Sequence, residues 1–180
     1  DIDLAATSGN VRDLTINHAS CVAQMKSDVS LSRNLTITAG QLTTGTSGFG
    51  FSNLTVAGAL TNNGTLTLND STVNLGSTST EAGDVTGSGT FNLDTSTINF
   101  HTAGGANFIP STSANFDTNT STLNLIGLNS NTRQHNFTFA SGNLHNITTS
   151  RGTGSGTHTD KLNGNTTITG DLTVGANSIF

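Results

Sequence analysis

An all-β fold, a parallel β-helix or β-solenoid, is what this 180-residue chain predicts, and three observations carry the prediction. The segments GTLTLNDSTVNL, GTFNLDTSTINF and ANFDTNTSTLNL superimpose at a constant offset of 25 residues, starting at Gly64, Gly89 and Ala114. Ser71, Ser96 and Ser121 fall in one column, Thr72, Thr97 and Thr122 in a second, and Asn74, Asn99 and Asn124 in a third. The apolar columns agree as well: Leu66/Phe91/Phe116, Val73/Ile98/Leu123 and Leu75/Phe100/Leu125. A fixed period of this length, built from strand-forming residues, means stacked coils in which each coil buries its inner face against its neighbours. Composition is the third observation. Thr (34), Asn (22), Gly (21) and Ser (20) make up more than half of the chain, only 9% is charged, and Pro110 is the single proline. Low charge with few apolar residues also fits disorder. Short alternating apolar runs, a shortage of proline where N–H groups are needed for ladders, and no helix-period segment decide for strands.

Strict alternation bounded by Gly, Asn and Ser predicts strands around residues 14–16, 29–31, 35–37, 54–56, 66–68, 73–75, 91–93, 98–100, 123–125, 137–139, 166–168 and 172–174. Within the 25-residue units two strands lie seven residues apart around a polar corner (Asn69-Asp70, Asp94-Thr95), and the remainder has room for a third strand or a loop. Because side chains alternate with period two, Leu66, Leu68, Val73 and Leu75 are expected inside, with Thr67, Thr72 and Asn74 outside. Phe91, Phe100 and Phe116 fall in inner columns and read as core filler. The aligned Asn74, Asn99 and Asn124 are expected to form an amide ladder between coils. Coils of 19–25 residues give roughly 7–9 turns and a rod on the order of 35–45 Å, at about 4.8 Å per turn.

A longer period lies over the short one. DLAATSGNVRDLTI from Asp3 matches NFTFASGNLHNITT from Asn136 at an offset of 133. LTITAGQLTTG from Leu35 matches TTITGDLTVGA from Thr166 at 131, falling to 130 after one deletion. The chain therefore reads as a single solenoid over 1–180 in which 1–51 resembles 134–180. It is either a window of a longer repetitive protein or a subunit whose matching ends stack. A solenoid end presents unpaired N–H and C=O groups that template another chain unless capped. Neither DIDLAATSGN nor GANSIF reads as a cap. Axial continuation or self-assembly is the expectation.

The phrases NLTITAGQLTT, NLTVAGALTNNGTLTLN and GNTTITGDLTVGAN resemble the repeats of bacterial surface and secreted proteins: autotransporter and filamentous-haemagglutinin-like passengers, giant adhesins, and phage tail-fibre stalks. The resemblance spans most of the chain and is compositional. It implies an extracellular or cell-surface, elongated, right-handed parallel β-helix used as a fibre, stalk or adhesin. No integrin-type motif, C-terminal membrane barrel or anchor is recognisable.

Chemistry finds little purchase. A polysaccharide-cleaving groove needs clustered carboxylates, usually beside a cation. Asp70 and Asp94 occupy neighbouring corner columns, with no basic residue between Asn34 and Thr132, so they read as turn residues. Glu81 and Asp84 read as solvated. His18, His101, His135, His145 and His158 form no HxxxH or HxH pair, and the lone Cys21 cannot anchor zinc, so no metal or cofactor is expected. GGANF at Gly104 departs from calcium-binding nonapeptides. GTGSGT at Gly152 lacks the lysine and helix of a phosphate loop. Cys21 itself reads as a buried small hydrophobe. Six basic residues and a net charge of −5 leave no stripe for nucleic acid, and no apolar run approaches a membrane span.

Threonine rows on flat solenoid faces raise ice binding, but only Thr72/Thr97/Thr122 keep one column in the aligned coils. Eight Asn-x-Ser/Thr sequons stand as candidate glycan acceptors at Asn34, Asn53, Asn63, Asn69, Asn119, Asn136, Asn146 and Asn165. The leading expectation is a non-catalytic fibre subunit or segment whose partner is itself or further repeats. The alternative is an adhesin that binds a host or surface glycan or receptor through loops around Gly76–Gly89 and Ala103–Ser113.

Overall fold

The computed structural model describes residues 2–4, 11–46, 50–76, 83–102, 107–110, 115–117, 119–127, 133–138, 143–151, 158–163 and 166–180. These form strands joined by short corners, with no helix among them. The chain winds past three faces in a fixed order. The first face stacks seven strands: Val29–Leu31, Leu54–Val56, Thr72–Leu75, Thr97–Thr102, Thr122–Gly127, Asn146–Arg151 and Leu172–Val174. The second carries Leu60–Asn62, Val85–Gly87, Asn107–Pro110, Arg133–Thr138, His158–Asn163 and Ser178–Ile179. On the third lie Ile2–Leu4, Thr65–Thr67, Thr90–Asn92 and Asn115–Asp117. Asn143–Leu144 and Thr167–Ile168 pair with each other and take the third place in their own coils. Two long strands, Leu14–Met25 and Leu35–Thr43, bend round the corner between the second and third faces and join them into one sheet.

Every stacked pair is parallel, apart from the antiparallel excursion Gly45–Thr46 against Gly50–Phe51. The 25-residue period is one turn, since Thr72 pairs with Thr97 and Thr97 with Thr122, while Thr65 pairs with Thr90 and Thr90 with Asn115. The space left for a third strand or a loop is a strand, anchored inside by a single apolar residue such as Leu60 or Val85.

The turn count is lower than expected. On the first face the chain advances Val29→Leu54→Val73→Ile98→Leu123→Ile147→Leu172, five steps of 24 or 25 residues and one of 19. About five full turns and one short one replace the expected seven to nine, and seven rungs span about 30 Å. Coil length on this face keeps to the expected range, so the lower count reflects a ladder that runs only from Val29 to Leu172, not longer turns. Spacing is looser on the second face. Twenty-nine residues separate Phe108 from its partner Phe137.

The core is a set of axial columns. Val29, Leu54, Val73, Ile98, Leu123 and Ile147 form one, and Leu31, Val56, Leu75, Phe100 and Leu125 another, all at most 5% exposed. Ala23, Leu42, Leu66 and Phe91 line the third face from within. Burying each large side chain contributes about 1.5–3 kcal/mol. Leu66, Leu68, Val73 and Leu75 point in as expected, with Thr67, Thr72 and Asn74 outside. Phe91 and Phe100 are core filler, whereas the side chain of Phe116 lies outside the described residues.

The long repeat does not follow the coils. Leu14 lies on the second face, yet its sequence match Ile147 lies on the first. Ile37 is on the second face, whereas its match Ile168 pairs with Leu144 in a separate two-stranded sheet, and Leu42 on the third face matches Leu172 on the first. In winding order Leu14 is displaced by two faces and Leu42 by one. All three faces obey the same alternation of apolar and Thr/Asn residues, so similar phrases fit any of them.

Candidate functional site

What these residues build is an axial lattice with two open tips. Its most regular part is the amide row. Asn99 Nδ2 donates to Asn74 Oδ1 at 2.9 Å, and Asn124 Nδ2 donates to Asn99 Oδ1 at 2.9 Å. Parallel in-register pairing repeats one side chain every turn, so each amide finds an identical neighbour in reach.

The serine row is aligned but works differently. Ser71, Ser96 and Ser121 are at most 2% exposed. Their carbonyls accept from Thr97 N, Thr122 N and Asn146 N of the next coil at 3.0–3.1 Å. The hydroxyls do not bond to one another: Ser71 Oγ donates to Thr44 Oγ1 at 2.7 Å, and Ser96 Oγ donates to the carbonyl of Leu93. Each serine closes a tight corner begun by Asn69 (φ 51°), Asp94 (φ 49°) or Asn119 (φ 40°). Asn and Asp tolerate this left-handed backbone better than other side-chain-bearing residues. A corner further along needs glycine: Gly87 has φ 119°, and a Cβ there would run into the backbone of Asn62.

Carboxylates on these corners serve as acceptors. Asp70 Oδ1 accepts from Thr95 Oγ1 at 3.1 Å, and Asp94 Oδ1 accepts from Asn119 Nδ2 at 2.8 Å. Glu81 lies outside the described residues. Among the described residues no three His, Cys, Asp or Glu side chains gather into a metal site. His101 is partly buried, and burial lowers its pKa below the ordinary 6.5.

The sequon asparagines are corner fittings. Asn34 Oδ1 accepts from Ala59 N (2.9 Å), Asn53 Oδ1 from Thr72 N (3.1 Å), Asn63 Oδ1 from Ser88 N (3.1 Å) and Asn146 Oδ1 from Asp171 N (2.9 Å). Asn69 Nδ2, the atom a glycan would occupy, donates to Gly45 O at 2.7 Å and Thr43 Oγ1 at 3.1 Å. Asn119 Nδ2 is likewise engaged with Asp94. The side chain of Asn136 and the whole of Asn165 lie outside the described residues. The signal for this capping role was an Asn or Asp standing just before a strand in successive coils, as with Asp28 and Asn53 (2.7 Å from Asn53 N to Asp28 Oδ1).

Two features differ from the sequence reading. Thr15, Thr36, Thr61 and Thr86 form a second outward threonine row on the second face, with Thr61 and Thr86 hydroxyls 3.2 Å apart. The 25-residue alignment began downstream of its first three members and skipped Thr86, which falls between two aligned segments. Cys21 is half-buried, not buried. It flanks a bulge in which residues 18–21 stand opposite Gly40, and it packs against the core from the rim of a groove of about 460 Å³. Ala19, Ser20, Gln41, Asn63 and Thr65 line the groove, and it holds no acid, base or cation. The void inside the core, about 20 Å³ between residues such as Leu66, Phe91 and Phe100, has room for little more than one water.

Both loop candidates begin at the corner between the first and second faces and run on through a second-face strand, Val85–Gly87 or Asn107–Pro110. Three residues join Val56 to Leu60, whereas nine separate Leu75 from Val85. Of that segment 77–82, and of the next 103–106 and 111–114, lie outside the described residues, as does 152–157. Axial ladders, meanwhile, leave apolar side chains open at both tips: Ile2 (54% exposed) and Val11 (44%) at one, and Leu172 (45%), Val174 (47%), Ile179 (53%) and Phe180 (37%) at the other. No family model, curated protein or solved structure matches the chain.

Proposed function

We propose that this protein is a stiff, non-catalytic rod element of an extracellular or cell-surface fibre, extended axially by further coils. One observation carries the reading. Leu172 and Val174 are about half exposed at the tip, although they end columns whose inner apolar members are buried. A further coil would bury both and satisfy the open strand edge at Leu172–Val174. Stiffness follows from the same lattice, since backbone ladders, the amide row and the corner acceptors all run along the axis. The acids that a hydrolase would use are spent on corners, which favours structure over catalysis.

Electron microscopy of the purified chain tests the reading. Rods of constant width that lengthen with protein concentration are expected, and a strictly monomeric species at high concentration would overturn it. The long connections at the corner between the first and second faces support a second reading, adhesion to a glycan or receptor. Glycan-array binding that is lost on shortening the 76–84 connection is expected on that reading, and binding by neither the parent nor the variant would sink it.

A further inference from the structure

Axial extension alone does not say which tip meets which, or in what register. The three-face path supplies both. The strand Ser178–Ile179 lies on the second face, and Ile2–Leu4 lies on the third, the face that follows it in winding order. The step left at one tip therefore complements the step left at the other without rotation. The columns agree too. Val11 pairs in parallel with Leu31, at the head of the inner column Leu31–Val56–Leu75–Phe100–Leu125–Thr149–Val174. Val11 and Val174 are thus the two exposed ends of a single column. Ile2 heads the third-face column through Ala23, Leu42, Leu66 and Phe91.

We propose that the partner at the C-terminal tip is the N-terminal tip of a second copy, seated head to tail with like faces aligned, so that Val11 of one copy stacks on Val174 of the other. This rests on the axial reading and adds the partner, polarity and register. A joint between two like tips would set the edge strands antiparallel and close into a dimer, whereas a head-to-tail joint leaves each new tip open and propagates. It also keeps the parallel pairing that every coil already uses. Neighbouring parallel strands lie about 4.8 Å apart, within the roughly 4.4–6.8 Å between Cα atoms that a disulfide spans.

The test is a register-specific cross-link in a Cys21→Ser background. Val11→Cys with Val174→Cys, mildly oxidised, should give a reducible series of multimers extending past the dimer. Val11→Cys with Thr173→Cys, whose side chain faces the opposite side of the strand, should give about tenfold less product, given the Cβ geometry a disulfide requires. Rods in the microscope without the Val11–Val174 link, or a link stronger at Thr173, would overturn the register and leave the axial reading standing. So would dimers alone from the single variant Val174→Cys, which mark a joint of like tips. Absence of both rods and link would remove the two together. As a check independent of cysteine chemistry, Val174→Lys should abolish rods while Thr173→Lys retains them. Rods that persist with Val174→Lys would count against the joint.

Discussion

The middle coils and the C-terminal coils share one architecture but fill it with different chemistry. Along a single inner column the residues run Leu31, Val56, Leu75, Phe100 and Leu125, and then Thr149. In the middle coils Ser121 Oγ and His101 Nδ1 find no partner among the described residues, but the polar groups inside the wall are met: Asn62, fully buried, donates to Thr90 O at 2.8 Å and accepts from Gly64 N at 3.1 Å. Thr44 donates to Leu68 O and accepts from Ser71. In the C-terminal coils Thr149 is fully buried and Asp160 is 2% exposed, and the buried hydroxyls of Thr149, Thr166 and Ser178 find no hydrogen-bond partner among the described residues. Unmet buried hydroxyls cost stability, whereas met ones are near neutral or better. In a solenoid stability is roughly a sum over coils and their interfaces. The middle coils should therefore hold the rod together while the C-terminal coils open first, and hydrogen exchange should be slower at Leu75 and Phe100 than at Thr149.

The largest break in this contrast comes from emptying the apolar part of the column. Phe100 is 2% exposed between Leu75 and Leu125, so Phe100→Ala should cost about 3–5 kcal/mol through lost burial and an unfilled cavity. A urea midpoint unchanged from the parent would mean the middle coils do not carry the fold. At the polar end of the same column the sign reverses. Thr149→Val keeps the shape and removes an unmet hydroxyl, so a gain of about 1–2 kcal/mol is expected. A loss of stability instead would show that Thr149 has a partner and that the contrast is false.

Between these extremes lies the amide row on the outer surface. Asn99 makes two rungs, donating to Asn74 and accepting from Asn124. Asn99→Ala should cost about 1–2 kcal/mol, as each half-exposed hydrogen bond contributes roughly 0.5–1.5. Asn74→Ala removes one rung and should cost about half as much. Equal losses from the two variants would mean the rungs are not the source of the effect.

How much could be read beforehand follows the same division. In the aligned segments between Gly64 and Leu125 the period is one turn, the corners closed by serine are short, and the columns repeat residue type, so those strands, their facing and the amide row were legible. Elsewhere the signal thinned for identifiable reasons. Leu60–Asn62 and Val85–Gly87 each have a single apolar anchor, too little for alternation to register. The antiparallel excursion at Gly45–Phe51 sits inside an ordinary 25-residue turn, so it left the columns in register and gave no periodic signal of its own. Similar phrases occupy different faces because each face accepts the same strand pattern, so sequence likeness at long range did not carry position. Corner capping by Asn34, Asn53 and Asn146 was hidden behind the sequon, since one residue type serves both purposes.

The smallest expected effect is a pH dependence confined to the edge of the apolar region. His101 continues the strand that holds Phe100, its Nδ1 is buried with no hydrogen-bond partner among the described residues, and burial lowers its pKa below 6.5. A histidine whose folded pKa lies below its unfolded value binds fewer protons when folded. Stability then rises with pH wherever the unfolded chain is the more protonated. Above the unfolded value of 6.5 both states are neutral and His101 contributes no slope. As pH falls through 6.5 the unfolded chain takes up a proton that the folded one resists, so stability declines until the folded pKa is reached. The residue is only partly buried, which keeps the effect slight. His101→Gln should flatten the stability profile below 6.5 relative to the parent and leave the neutral plateau in place. A profile that keeps its slope in the variant would assign the dependence to other titrating groups and detach it from the middle coils.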